Sequence, residues 1–129
     1  MEIIQNQVRK EVRMCLLVHE YPITKRIIEI AEETAKENHA KAVKKINLVV
    51  GDYSGYVASS IDLYFGIIAE DSLCANATLH IQRVKPKLRC QNCHGLFERK
   101  PFSFRCPYCE GEGEPTEIGK EFYIKSIEV

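Results

Sequence analysis

Two cysteine pairs, Cys90-Gln-Asn-Cys93 and Cys106-Pro-Tyr-Cys109, carry the clearest chemistry in the chain. Each pair encloses two residues, and twelve residues separate the pairs. Two such turns facing one another bring four thiolates to the corners of a tetrahedron, the donor set of a structural Zn²⁺. Pro107 inside the second turn and Gly111 just after it fit a zinc ribbon. Two disulfides or a redox pair are the rival readings. Both are weakened because nothing looks exported and no thioredoxin-like strand and helix surround either pair. Cys90–His94 also spells the CxxCH string of c-type haem attachment. That use would leave Cys106 and Cys109 without a role, so His94 is expected outside the zinc shell. A four-cysteine site leaves no open position for water or substrate, which argues against an enzyme.

A second metal-competent stretch is His19-Glu20-Tyr21-Pro22. By itself, a lone histidine beside a helix start is more often a capping or surface residue than a ligand. His39 and His80 have no ligand-spaced partner and are expected at the surface. Cys74 reads as a small core residue, and Cys15 as part of the apolar run Met14–Val18. Asp52 sits where a strand gives way to a glycine-containing turn, a common place for aspartate. No nucleotide-binding glycine loop and no nucleophile–base arrangement is present.

The elements that must position these residues follow from periodicity. Pro22 suits the first turn of a helix running to about Asn38, with Ile23, Ile27, Ile30, Ala31 and Thr34 on one face. Val43–Val50 alternates as a strand and ends at Gly51. A second helix spans about Ser59–Asp71, burying Ile61, Tyr64, Phe65 and Ile68, with Val57 packed before its start. Ala77–Val84 and Glu121–Val129 read as further strands. Ile4, Val8, Val12 and Leu16 recur every four residues, which suits either an amphipathic helix or a leader outside the fold. The class is therefore α+β: two helices on a small mixed sheet, with an inserted zinc-ribbon module. Residues 18–84 and a returning strand in 118–129 form the main domain, 85–117 the ribbon, and 1–17 an N-terminal extension.

Composition narrows the function classes. The 129 residues carry 18 basic and 18 acidic side chains, a balance that disfavours a dedicated nucleic-acid binder. No apolar run approaches the roughly 20 residues of a membrane helix, and Met14–Val18 is too short for a secretory core. Six cysteines in such a chain point to metal in a reducing cytoplasm.

Four phrases in order carry a more specific resemblance: His19 to Thr24, Ile46 to Asp52, the paired CxxC turns, and Gly119 to Glu128. Over residues 18–129 the chain resembles the HypA family of nickel-insertion accessory proteins for [NiFe]-hydrogenase. The resemblance implies a nickel domain joined to a zinc module held by Cys90, Cys93, Cys106 and Cys109. It also implies Ni(II) as transferred cargo. The family binds it through an N-terminal amine, the histidine ring and the backbone amides of a Met-His-Glu start. His19 and Glu20 match that histidine and glutamate, and nitrogen donors suit square-planar Ni(II). Implied partners are a nickel-binding maturation GTPase and the hydrogenase large subunit, with urease as a second target, and either a monomer or a homodimer. Residue 18 is valine and lacks a free amine, which departs from the pattern. The expectation is that translation starts at the Val18 codon. The alternative is a genuine leader, with nickel bound more weakly or through another donor such as Cys15.

A different class of function is a zinc-ribbon module that binds nucleic acid or protein. Lys85, Lys87, Arg89, Arg99, Lys100 and Arg105 interleave with Phe97, Phe102, Phe104 and Tyr108. Glu110, Glu112, Glu114 and Glu117 follow at once and oppose it, and those aromatics are expected to pack the ribbon's core.

Overall fold

The computed structural model describes residues 20–99 and 103–129 and the backbone of Glu2–Ile3. Helix α1 (Glu20–Glu37) starts with Pro22 in its first turn, where a missing N–H costs nothing. Glu20 at its start and Lys36 at its end match the helix dipole. It buries Ile23, Ile27, Ile28, Ile30, Ala31 and Ala35, and the buried Thr34 hydroxyl donates to the Ile30 carbonyl. His39 ends it in the left-handed conformation, φ 56°. Ala40 N–H reaches the Ala35 carbonyl at 2.8 Å and His39 N–H the Lys36 carbonyl at 3.1 Å, which closes a Schellman cap.

Strand β2 (Lys45–Gly51) is followed by helix α2 (Ala58–Ile68), a 3₁₀ turn over Ala69–Asp71 and strand β3 (Thr78–Val84). β2 and β3 pair in parallel, so α2 is the crossover that parallel strands require. β7 (Phe122–Glu128) returns antiparallel to β2, and β1 (Glu2–Ile3) pairs antiparallel with β7. The sheet order is thus β1-β7-β2-β3. A register shift lies between Asn47 and Leu48, and beside it the Asn47 side-chain amide donates to Ser126 Oγ at 2.8 Å. Both helices share one buried cluster with Ile46, Leu48, Val50, Ile124 and Ile127. This is the α+β architecture of two helices on a small mixed sheet.

The second sheet interrupts the first in sequence. β4 (Lys87–Cys90) lies between β5 (Leu96–Glu98) and β6 (Gly113–Pro115), all antiparallel. Its buried cluster is Leu88, Cys90, Phe97 and Cys106, so half of it is cysteine. Burying a Leu and a Phe yields about 1.5–3 kcal/mol each. Ordering each residue costs about 1–2 kcal/mol, so a segment this long needs another source of stability.

Both ends of this segment leave the first sheet at one place. Asp52 N–H donates to the Val84 carbonyl, Gly51 N–H to Glu121, and Tyr53 N–H to Gly119, at 2.9, 2.6 and 2.7 Å. Gly119 has φ +103° and lies so close to Pro86 that a Cβ would stand 2.7 Å from the proline Cα.

Several details differ from the sequence-based expectations. Val57 is exposed rather than packed ahead of α2, and Tyr64 and Ile68 are half-buried, because α2 buries only the narrow stripe of Ile61 and Phe65. Phe104 and Tyr108 are 50% and 77% exposed, so of the expected ribbon-core aromatics Phe97 alone is buried among the described residues. Phe102 lies outside the described residues, as do Ile4, Val8, Val12 and Leu16.

Candidate metal sites

The two cysteine turns are built alike. In the first, Cys90 N–H donates to the Gly95 carbonyl at 2.9 Å and His94 N–H returns to the Cys90 carbonyl at 3.0 Å. In the second, Cys106 N–H donates to Gly111 at 2.8 Å and Glu110 N–H to Cys106 at 3.0 Å. His94 and Glu110 occupy the left-handed region, both with φ 61°. Each turn curls its amides onto its first sulfur. Asn92 and Cys93 N–H both point at Cys90 Sγ at 3.4 Å, and Tyr108 N–H at Cys106 Sγ at 3.4 Å. The signal missed in the sequence is a repeated Cys-x-x-Cys-x-Gly phrase, whose glycine carbonyl closes each turn.

All four sulfurs lie within 4.8 Å of one another. Cys90 Sγ stands 3.3 Å from Cys109 Sγ, and Cys93 Sγ 3.7 Å from Cys106 Sγ. A disulfide would bring two sulfurs to about 2.05 Å. Four Zn–S bonds near 2.3 Å put tetrahedral sulfurs about 3.8 Å apart. The cluster therefore fits one metal ion and no disulfide. Gly111 leaves no room to spare, since a Cβ there would lie 2.8 Å from Cys90 Sγ. Asn92 closes the site from outside, its amide 3.7 Å from Cys109 Sγ.

The electrostatics of the bare thiols are uneven. The Gly111 backbone N–H, then the Cys90 thiol, draw Cys109 down to about 6. At Cys93 the Gly95 backbone N–H also acts downward, but contacts with Cys109 and Cys90 outweigh it and push this thiol up to about 11. A divalent cation removes the conflict by stabilising all four thiolates together.

The expected second site is divided. His19, Val18 and Cys15 lie outside the described residues. Glu20 opens α1, and its carboxylate accepts the Val57 N–H at 3.0 Å. Val57 is the N-cap of α2 and makes no side-chain cap of its own, and Glu20 satisfies Val57's N–H, one of the four orphan donors at that helix start. The first turn of α1 is thereby fastened to that of α2. A cleft of about 190 Å³ opens beside it, lined by Asp52, Val57 and Arg83. Asp52 is not a lone carboxylate there, because its Oδ1 pairs with the Arg83 guanidinium at 3.1 Å.

The other candidates have structural places. Cys74 is fully buried, and that burial pushes its thiol up to about 11. His80 is exposed on the sheet's edge strand. No described helix is long and apolar enough to cross a membrane.

Residues 18–129 match the sequence profile of the family described as HypA, hydrogenase/urease nickel incorporation, metallochaperone. The chain belongs to the HypA family. A hydrogenase maturation factor HypA of Caldanaerobacter subterraneus subsp. tengcongensis is 36% identical over 113 residues, covering 87% of this chain and 99% of that protein. One from Dehalococcoides mccartyi is 34% identical over 112 residues, covering 87% and 94%. Among solved structures, a HypA solution structure aligns with TM-score 0.61 at 27% identity, covering 88% and 98%. The Ni metallochaperone HypA from Helicobacter pylori aligns at 0.57 and 29%, covering 86% and 97%. HypA thus names a nickel-metallochaperone family serving hydrogenase and urease maturation, and this member carries a four-cysteine metal cluster.

Proposed function

We propose that this chain binds Ni(II) near His19 and Glu20 and delivers it for [NiFe]-hydrogenase maturation, with urease as a second target. A zinc ion held by Cys90, Cys93, Cys106 and Cys109 has a structural role. The family match carries this reading, since it spans residues 18–129 and so takes in both metal-competent stretches. Four thiolates favour zinc among the divalent ions, and supply folding energy rather than catalysis. Residues 18–84 with 118–129 form the nickel part, and residues 85–117 the zinc module. Fastening Glu20's carboxylate to Val57 favours its backbone amide, rather than that carboxylate, as the donor to nickel. An imidazole with backbone amide nitrogens is a small donor set, which suits a carrier that must release its cargo. The chain acts without catalysis in the cytoplasm, between a nickel-binding maturation GTPase and the hydrogenase large subunit.

Calorimetric titration of Ni(II) into the full chain, and into a variant starting with methionine in place of Val18, tests the reading. The shorter protein is expected to bind one equivalent and to lose it with His19→Ala. A shorter protein that takes up no nickel would refute the proposal.

A further inference from the structure

The place where the cysteine module joins the first sheet holds a second cleft, of about 230 Å³. It is lined by Leu88, Pro115 and Ile118, with Tyr53 from just past the end of β2 and Phe104 from the ribbon. Lys87, Arg99 and Lys120 stand among the lining residues, and among the described residues no carboxylate does. In a chain of zero net charge, this is a local concentration of one sign. Arg99 lies over the Phe104 ring at 4.2 Å, so the cation is held against the aromatic wall. Lys120 pairs with Glu117 at 3.3 Å in an exposed contact, which an incoming carboxylate can replace at little cost. Neither Lys87 nor Arg99 has an ion-pair partner among the described residues.

We infer that this cleft docks an acidic peptide segment of a partner protein, one apolar side chain entering the cleft and flanking carboxylates meeting Lys87 and Arg99. Volume and charge select that occupant. Sites for drug-sized molecules span about 300–1,000 Å³, whereas this cleft accommodates a single large side chain. A nucleic acid would also meet the cations, but Leu88, Pro115 and Ile118 among the lining residues offer a phosphate backbone no partner, whereas they suit one apolar side chain. The position gives docking a consequence. Tyr53 follows Asp52, which lines the cleft beside Glu20 and the start of α2, while Arg99 and Phe104 belong to the cysteine module. A peptide here touches both parts of the molecule at once, and its binding depends on the module being folded.

The test uses the zinc-loaded full chain without nickel, so its result is independent of the nickel site. The probe is a fluorescein-labelled peptide of seven Glu and Asp residues with one central Phe, followed by anisotropy. Binding is expected to weaken at least tenfold with Arg99→Glu, and severalfold with Lys87→Glu. Replacing the peptide's Phe by Ala should cost about tenfold, and raising salt from 50 to 300 mM severalfold. Both protein substitutions are at exposed positions, and unchanged circular dichroism and zinc content confirm that the variants fold. Absence of binding, indifference to Arg99→Glu, equal affinity for the Ala peptide, or preferential binding of an oligothymidylate would each overturn the inference.

Discussion

Replacing Gly51 by alanine probes the joint between the two sheets. A Cβ at Gly51 would stand 2.1 Å from the Gly119 carbonyl oxygen, 2.3 Å from its carbon and 2.8 Å from Glu121 N. All three are backbone atoms, so no side-chain rotation relieves the clash. Reaching ordinary contact near 3.5 Å requires the 119–121 segment to retreat by about 1.4 Å. That movement strains two hydrogen bonds, Gly51 N–H to Glu121 at 2.6 Å and Tyr53 N–H to Gly119 at 2.7 Å. Each contributes about 1 kcal/mol net, and the overpacking costs about 1–3 kcal/mol. The sum is a loss of about 3–5 kcal/mol, or about 12–20 °C in Tm for a chain of this length. Urea unfolding followed by circular dichroism and tyrosine emission measures it, the chain having six Tyr and no Trp. Gly66→Ala is the control. It has nothing within 4 Å of the added carbon and lies inside α2, so it should stabilise by up to about 1 kcal/mol. A loss below 1 kcal/mol for Gly51→Ala, or the same sign for both variants, would refute the assignment of the joint as rigid.

Removing zinc with a strong chelator should unfold residues 85–117 and leave the helices in place, because structural zinc supplies about 10–16 kcal/mol in peptide systems. Backbone NMR resonances of that region should collapse to the random-coil range while those of α1 and α2 persist. Glu20→Ala should cost about 1 kcal/mol through the lost hydrogen bond from Val57 N–H, and Glu20→Gln less, as read from paired urea titrations. His39→Gly should raise stability by about 0.5–1 kcal/mol in thermal unfolding, since glycine adopts φ 56° without a Cβ penalty. Cys74 should resist iodoacetamide until the chain unfolds, as peptide mapping would show. Its thiol is pushed from 9.0 to about 11 when folded, so the folded state holds this proton more tightly than the unfolded one. That contribution to stability is complete below pH 9 and is lost as pH rises towards 11.

Much of this architecture is written in periodic patterns. Pro22 and the isoleucines after it locate α1 to within about two residues, and Val43–Val50 and Ala77–Val84 nearly coincide with β2 and β3. The cysteine spacing anticipates a cluster that the folded chain does assemble. What escapes is whatever depends on a single distant contact. Glu2–Ile3 is too short to carry a period, so its pairing with Ile127 and Glu128 has no local signature. Val57 looks like a residue to bury, yet its exposed position serves as the backbone donor to Glu20. Phe104 and Tyr108 satisfy every compositional rule for a core and still face solvent, because two sulfurs and two apolar side chains already fill that small interior. His39 and His94 appear as free-standing histidines, while their left-handed backbones close a helix and a cysteine turn.

The position of β7 has a bearing on how the protein is made. It lies between β1 and β2, yet both neighbours leave the ribosome well before it does. Until β7 is made, β2 presents an unsatisfied edge, and Ile124 and Ile127 are missing from the cluster beneath the helices. The cysteine module, complete by residue 115, can capture its ion during that interval. Synthesis therefore completes the module first, and only afterwards the strand that closes the sheet anchoring it.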